Sequence, residues 1–301
     1  MVDNSVPKPT GNMTNIEPNP LMKHIRQPKI YIKLPSGGKY WPKGAVEIPE
    51  TGELPVLPMT ARDEITFKTP DALINGQATV DVIQSCIPDI KNAWEIPSID
   101  LDVILIAIRR ASYGDSLEMS HKIPGTTIDK DYALDLIQIY DSYFHKTFED
   151  TFKIDGFTVQ IAPVPYKDFT KNALKTFEEQ RILGIVSNED TPDAQKLEKF
   201  QKAFANLTAI NIDMVANSIT AIQPDGDANA VVNKTHIRQF IEQAESKVYT
   251  QIQDHIKEQR AKFNHEPLVM QATDEEKEAG APDTYEIPIT FDQSNFFGSA
   301  S

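Results

Sequence analysis

The side chains of this sequence that could do chemistry are few and scattered. His255 and Glu258 form an H-x-x-E on a helical pattern, with His236 earlier on the same pattern, a spacing that can hold a metal or an acid/base pair. Such a site needs a second cluster converging on it. None is evident, and the surrounding Gln, Lys and Glu describe a solvated helix face. Asp63-Glu64 and Asp100/Asp102 are carboxylate pairs of the kind that divide acid and base roles in catalysis. The first pair falls at a turn entering a strand, and the second at the start of an apolar helix, where acids complement the dipole. The glycines of PSGGKYW precede no helix with a Lys-Ser/Thr pair, so they form no phosphate cradle. Cys86 lies between Ile83 and Ile87 without a nearby base, the setting of a core thiol rather than a nucleophile. There is no G-x-S-x-G elbow and no H-E-x-x-H. These patterns predict no catalytic, cofactor-binding or metal-ligating residue and no enzyme.

Bulk composition narrows the classes further. The chain of 301 residues carries 30 Lys+Arg against 44 Asp+Glu, a net charge of −14, and no long basic run offsets it, which argues against a nucleic-acid partner. A hydrophobic content of 40% with 8% aromatics is enough for a packed core. A single cysteine permits no intrachain disulfide and suits a reducing cytoplasm. The Pro-rich start, MVDNSVPKPTGNMTNIEPNPLMKHIRQP, lacks the apolar core of a secretory signal and reads as an extended tail. The most apolar run, Ile99 to Ile108 within IPSIDLDVILIAIRRASYG, falls well short of the roughly 20 residues a bilayer span needs and is interrupted by Asp100 and Asp102. No membrane insertion is expected.

That run instead predicts a buried helix, capped by Ser98, with acids in its first turns and Arg109 and Arg110 near its end. Apolar residues from Val103 to Ile108 cover more than one face, so other elements must surround it. Upstream, Ile30, Ile32 and Leu34 alternate in a strand that enters a turn at Ser36-Gly37-Gly38. Short strands are expected at Leu54 to Leu57, limited to an edge or a loop by Pro55 and Pro58, and at Ile65 to Phe67. Thr-Pro-Asp-Ala occurs at Thr69 to Ala72 and again at Thr191 to Ala194, each a helix start by capping chemistry. DYALDLIQIYDSYFHKTF fits a short strand through Tyr132, Leu134 and Leu136 as well as a helix through Ala133, Ile137, Tyr140, Phe144 and Phe148. TFKIDGFTVQIAPV is a hairpin, with Asp155-Gly156 supplying the positive φ angles of its turn.

From Tyr166 onward the pattern is helical. Stripes run through Tyr166, Phe169, Ala173 and Phe177, then Leu197, Phe200, Phe204 and Leu207, then Ile212, Val215, Ile219 and Ile222. A last long helix is expected from Thr235 to Phe263. QATDEEKEAGAPD reads as a flexible acidic linker, followed by an alternating tail through Tyr285, Ile287, Ile289 and Phe291 that ends near Phe296-Phe297. The fold class that follows is α+β and predominantly helical. A mixed domain at 28–165 has short antiparallel strands and a hairpin around a buried helix, and it follows a flexible tail at 1–27. A helical domain at 166–265 and an acidic linker with an extended docking tail at 266–301 complete it. Exposed aromatic and apolar anchors dominate binding energy, so Tyr40, Trp41, Ile287, Phe291, Phe296 and Phe297 are the candidate interface residues.

Several stretches together resemble one family. IYIKLPSGGKYWP, GELPVLPMTARDEITFKTPDALING, VIQSCIPDIKNAWEIPSIDLDVILIAIRRASYG, FKIDGFTVQIAPVPY and the closing FDQSNFFG, in that order, are similar to the baseplate proteins of T4-like contractile-tailed phages, the group linked to assembly of the baseplate hub. The resemblance implies a non-enzymatic assembly or scaffold protein in the host cytoplasm, with hub and tape-measure proteins as partners. The alternative it implies is a permanent minor subunit of the virion hub; a cell-wall enzyme would need an acid/base pair that the sequence lacks. Many relatives carry Cys-x2-Cys pairs after the SYG segment and before the closing NFFG segment, where they could share a zinc ion. The corresponding segments here, LEMSHKIPGTTIDKDYALDL and HEPLVMQATDEEKEAGAPDTYEIP, contain no cysteine, so the zinc is not carried over. Should the two segments still meet, His121, Ile123, Tyr285 and Ile287 are expected to replace ligation by packing.

Overall fold

The computed structural model describes residue 21 and residues 25–68, 76–186 and 193–289, leaving aside the side chains of 182–186 and 193–195. The fold is α+β and helix-rich, with small antiparallel sheets. Helix α3, Ser98–Tyr113, is the apolar run, and it forms the centre of the largest core cluster. From Val103 to Ile108 every side chain is 2% exposed or less, each large aliphatic one contributing about 1.5–3 kcal/mol by its removal from water. Pro97, in extended conformation, precedes the first turn, so Ser98 is the first helical residue and not the side-chain cap expected.

Around α3 pack strands β1, Ile30–Ile32, and β2, Leu54–Val56, paired antiparallel, and helix α2, Gln77–Cys86. Cys86 is fully buried there, and desolvation first, then Asp63, pushes its thiol up to about 12. The expected strand at Ile65 to Phe67 is instead the end of helix α1, Ala61–Phe67. Thr60 and Asp63 close a reciprocal capping box at its start, which satisfies orphan N–H groups and overrides the β-branched composition. Arg26 lies in the stretch read as a flexible tail. It is pinned to this helix start, donating to Asp63 Oδ2 at 3.1 Å, to the Pro58 carbonyl at 2.6 Å and to the Ser85 carbonyl at 2.7 Å.

Strands β3, Ser116–Lys122, and β4, Asp129–Asp135, form a hairpin with Leu117 opposite Leu134. Asp135 then caps helix α4, Leu136–Ser142, so the ambiguous segment is a strand followed directly by a helix. Strands β5, Thr151–Ile154, and β6, Phe157–Ile161, are the DG hairpin. Of its two turn residues only Gly156 takes a positive φ, +83°.

Helices α5, Tyr166–Val186, and α6, Asp193–Ser218, pack on each other. The stripe read as helical through Ile222 changes period at Ile219: strand β7, Ile219–Pro224, adds to β6 and makes a three-stranded sheet. Val159 and Ile161 of the hairpin thereby share a core with Val215, Ile219, Ile237, Ile241 and Ile252, on both sides of the boundary expected at 165/166. The last helix is also divided, into α7, Lys234–Gln243, and α8, Ser246–Lys262, by extended backbone at Ala244 and Glu245. The break lets Ile237 and Ile241 on one piece and Ile252 on the other reach the same cluster.

The acidic linker is ordered. Strand β8, Leu268–Gln271, pairs with β9, Thr284–Ile287, and between them Thr273 and Glu276 close a second capping box at helix α9, Asp274–Glu278. Glu276 is only 8% exposed and receives Lys130 Nζ at 2.6 Å. The Thr-Pro-Asp-Ala at 69–72, the first two residues of its counterpart at 191–194, and most of 1–27 lie outside the described residues.

Candidate functional site

The residues singled out for chemistry are placed in structural roles. The His255 ring stacks on Phe152 with centroids 3.8 Å apart, and its Nε2 lies 3.1 Å from the Glu149 carbonyl. Asp100 is fully buried, and its carboxylate accepts the Ser36 amide at 2.8 Å, the Ser36 hydroxyl at 2.5 Å and the Trp41 indole N–H at 2.7 Å. Three donors converge on this acid, yet loss of water still raises its pKa. Helix-dipole reasoning from sequence missed this role: Asp100 anchors the SGG loop to the core helix.

Asp102 belongs to a different network that sequence reasoning did not find. It faces a cavity of about 540 Å³ lined also by Asn264, His265, Pro267, Glu286, Pro288 and Ile289. Behind it, the buried Tyr143 donates to Asp102 Oδ2 at 3.0 Å, and Tyr143 Oη lies 2.6 Å from His265 Nε2. Desolvation raises Asp102, and desolvation together with Lys146 lowers His265 to about 4. The lowered pKa keeps His265 neutral, and in its Nε2–H tautomer it donates to Tyr143, which donates in turn to Asp102. Lys146 completes it by donating to the Asn264 carbonyl at 2.9 Å. The protons of the chain are spent within it, and among the described residues no Ser, Cys or Lys nucleophile lines the cavity. Chemically it is a clamp holding the segment after α8 against α3. The signal that could have found it is His265-Glu266-Pro267, a histidine and a proline just past the end of α8, but its partners lie more than 100 residues away in sequence.

Of the six predicted interface residues, three are described and all three are engaged within the chain. Trp41 is 8% exposed, bonded to Asp100 and part of the main core, so its indole is not presented to a partner. Tyr40 donates to Asp150 Oδ2 at 3.1 Å and meets Phe148 edge-on at 5.6 Å. Ile287 is 2% exposed. Phe291, Phe296 and Phe297 lie outside the described residues.

Ile287 joins Ile123, Tyr132, Ala272, Ala281 and Tyr285 in a separate small core, with the hydroxyls of Tyr132 and Tyr285 3.0 Å apart. The two segments that would carry zinc-binding cysteines in relatives therefore do meet. What they bring together is aliphatic and phenolic, and this donor set does not fit a zinc ion. His121 sits half-buried on β3 opposite Lys130. Among the described residues, no three or more His, Cys, Asp or Glu side chains are grouped to hold a metal. The approach is close: a Cβ on Gly125 would lie 2.5 Å from the Gly280 carbonyl oxygen.

An exposed apolar stripe runs along α5 and α6. Between Lys167 and Ala209, Ala203 alone is buried among the described residues. Phe177, Leu197, Phe200 and Phe204 are 61%, 59%, 52% and 61% exposed, and the last two rings stack. Two helices cannot enclose each other's apolar faces, so such a stripe stays open until something else covers it. Among the described residues, no helix is long and apolar enough to cross a membrane.

Neither a curated protein nor a solved structure matches the chain. A family model described as T4 bacteriophage base plate protein matches residues 27–279, which takes in the core helix, the hairpin, the open helix pair and half of the small C-terminal core. With that match spanning most of its length, the chain belongs to the T4 bacteriophage base plate protein family.

Proposed function

We propose that the chain is a non-enzymatic assembly or scaffold protein of the phage baseplate hub, which binds hub or tape-measure components during assembly in the host cytoplasm. Family membership supports the baseplate role. The observation that carries the finer reading is the exposed stripe of Phe177, Leu197, Phe200 and Phe204 on a helix pair with almost no core beneath it. Aromatic side chains held on a rigid helix lose little entropy on binding and serve well as anchors for a partner helix. The polar clamp at Asp102, Tyr143 and His265 supports the same reading, since its groups satisfy one another.

The test is co-expression of the tagged chain with each hub and tape-measure protein of its phage. The expected result is capture of at least one of them by the parent and loss of capture by Phe200→Ser/Phe204→Ser. Capture of none overturns the hub reading. Quantifying the chain in purified virions then separates an assembly factor, absent or substoichiometric, from a permanent subunit present in fixed copy number.

A further inference from the structure

Only residues 187–192 separate α5 from α6, so the two packed helices run antiparallel. Asn206 Nδ2 donates to Glu179 Oε1 at 2.7 Å, and with the buried Ala203 this bond marks the seam between them. Two exposed rows, Phe169 to Phe177 on α5 and Leu197 to Phe204 on α6, are each centred about 120° round the helix from that seam, in the same rotational sense. In antiparallel helices this puts both rows on one face. With Glu179 level with Asn206, the face runs from Phe169 to Leu197 over about 28 Å, the length of about five helical turns.

Charges on this face are sparse. Residues three or four positions from a row residue share its side of the helix, and the charged ones are Arg181, Asp193 and Lys196. The last two lie one turn apart on α6 and offset each other. Arg260 adds a second guanidinium, 5.9 Å from the Phe169 ring centroid. Arg181 and Arg260 are both exposed, and neither forms an ion pair or a side-chain hydrogen bond among the described residues. The carboxylate in the depression beside Phe169 is Asp102, which is bonded to Tyr143 and lies near the Lys146 charge. From Lys171 to Lys202 acids and bases are equal in number, although the chain as a whole carries −14. Salt screens charges beyond about 8 Å, so the two arginines and not the distant acids set the local preference.

We infer that this face seats one amphipathic α-helix of a partner, about five turns long, whose apolar side is flanked by two acids about three turns apart. The inference rests on the hub-assembly reading and names the chemistry of the partner. A helix fits because it can lie in the groove between two others at ordinary interaxial distances and satisfies its own backbone groups. The spacing of the acids follows from the receiving face: the twelve residues from Phe169 to Arg181 rise about 18 Å, so acids at i and i+11 of the incoming helix would meet Arg260 and Arg181. A second copy of the chain fits less well, since an isologous contact would bring the same unpaired guanidinium groups to this face.

The test uses the full chain and three fluorescent 19-residue helical peptides with one apolar face, carrying Glu, Gln or Lys at the two flanking positions. Fluorescence anisotropy in about 150 mM salt is expected to show the Glu peptide binding at least tenfold more tightly than the Lys peptide, with the Gln peptide between them. Arg181→Glu/Arg260→Glu should reverse that order, a gain of affinity that misfolding could not produce. Phe200→Ser/Phe204→Ser should weaken all three peptides at least tenfold. Equal affinities, or no binding, overturn the inference. So does a dimer in sedimentation equilibrium that Phe200→Ser/Phe204→Ser abolishes, which would make a second copy the occupant, or stripe-dependent binding to phosphatidylglycerol vesicles, which would make it a lipid surface. The two readings fail separately. Hub capture that survives Arg181→Glu/Arg260→Glu overturns the acidic-helix inference alone, whereas selective peptide binding without capture of any hub or tape-measure protein overturns the hub reading and upholds the chemistry of the face.

Discussion

Replacing Asp100 tests the packing logic of the whole first core. Its carboxylate is fully buried and is the shared acceptor for the Ser36 amide, the Ser36 hydroxyl and the Trp41 indole. In Asp100→Asn the side-chain volume is kept and the carbonyl oxygen can still serve the hydroxyl and the indole. The new NH₂ then faces the Ser36 N–H, donor against donor. One unsatisfied buried pair and the lost charge assistance amount to about 2 kcal/mol. In Asp100→Ala all three donors lose their acceptor, and the cost rises to about 4 kcal/mol. Urea unfolding followed by far-UV circular dichroism measures both. A Trp94→Phe background leaves Trp41 as the only indole, and its emission should shift to the red in the native state of the alanine variant. An alanine variant within about 1 kcal/mol of the parent would refute the reasoning. An asparagine variant as costly as the alanine one would refute the assignment of two donors to Oδ2.

The remaining expectations are briefer. His265 is held at about 4 in the fold against an ordinary value of 6.5. The unfolded chain therefore binds more protons between these values, and stability falls as pH drops from 6.5 toward 4, by about 2–3 kcal/mol. Asp102, raised by desolvation, acts in the opposite direction, so the comparison that isolates the histidine is parent against His265→Asn. Urea midpoints at pH 7.5 and 4.5 should differ less in the variant, and an identical difference in both would sink the assignment. Phe200→Ser/Phe204→Ser should leave the unfolding midpoint nearly unchanged, within about 0.5 kcal/mol per site, because both rings are exposed. A large stability loss would mean that the stripe belongs to a core. Gly125→Ala places a methyl 2.5 Å from the Gly280 oxygen at a φ of +79°, and should cost about 2 kcal/mol or more, read as faster hydrogen exchange in β8 and β9. Elemental analysis of the purified chain should find far less than one equivalent of zinc; a stoichiometric ion would contradict the replacement of ligation by packing.

Local chemistry made much of the fold legible. The run from Val103 to Ile108 is apolar on more than one side, so its burial follows from composition, as does the hairpin from the Asp155-Gly156 turn between alternating strands. The meeting of Ile123 with Tyr285 and Ile287 was expected only through the family resemblance, and residue type then indicated that the contact would be apolar. The failures have a common cause. Ile219 and Ile222 fit a period of 3.6 as well as 2, and only the free edge of β6 selects the strand. No Gly or Pro marks the break at Ala244-Glu245, which exists because two helix faces must reach one cluster. The acidic linker became a helix because Lys130, distant in sequence, neutralises Glu276 at its cap.

Residue types and their order were enough to establish that this chain has a core, where the core's axis lies, and which side chains are too apolar to stay in water, since burial depends on residue type. Which aromatic residues are already used emerges only when the folded elements come together. Trp41 and Tyr40 are spent on Asp100 and Asp150, while Phe200 and Phe204 remain open on a helix pair with almost no core beneath it. The reason is geometric: an aromatic ring is an anchor or a core residue according to what the rest of the chain brings to its face, and periodicity along one helix carries no record of it.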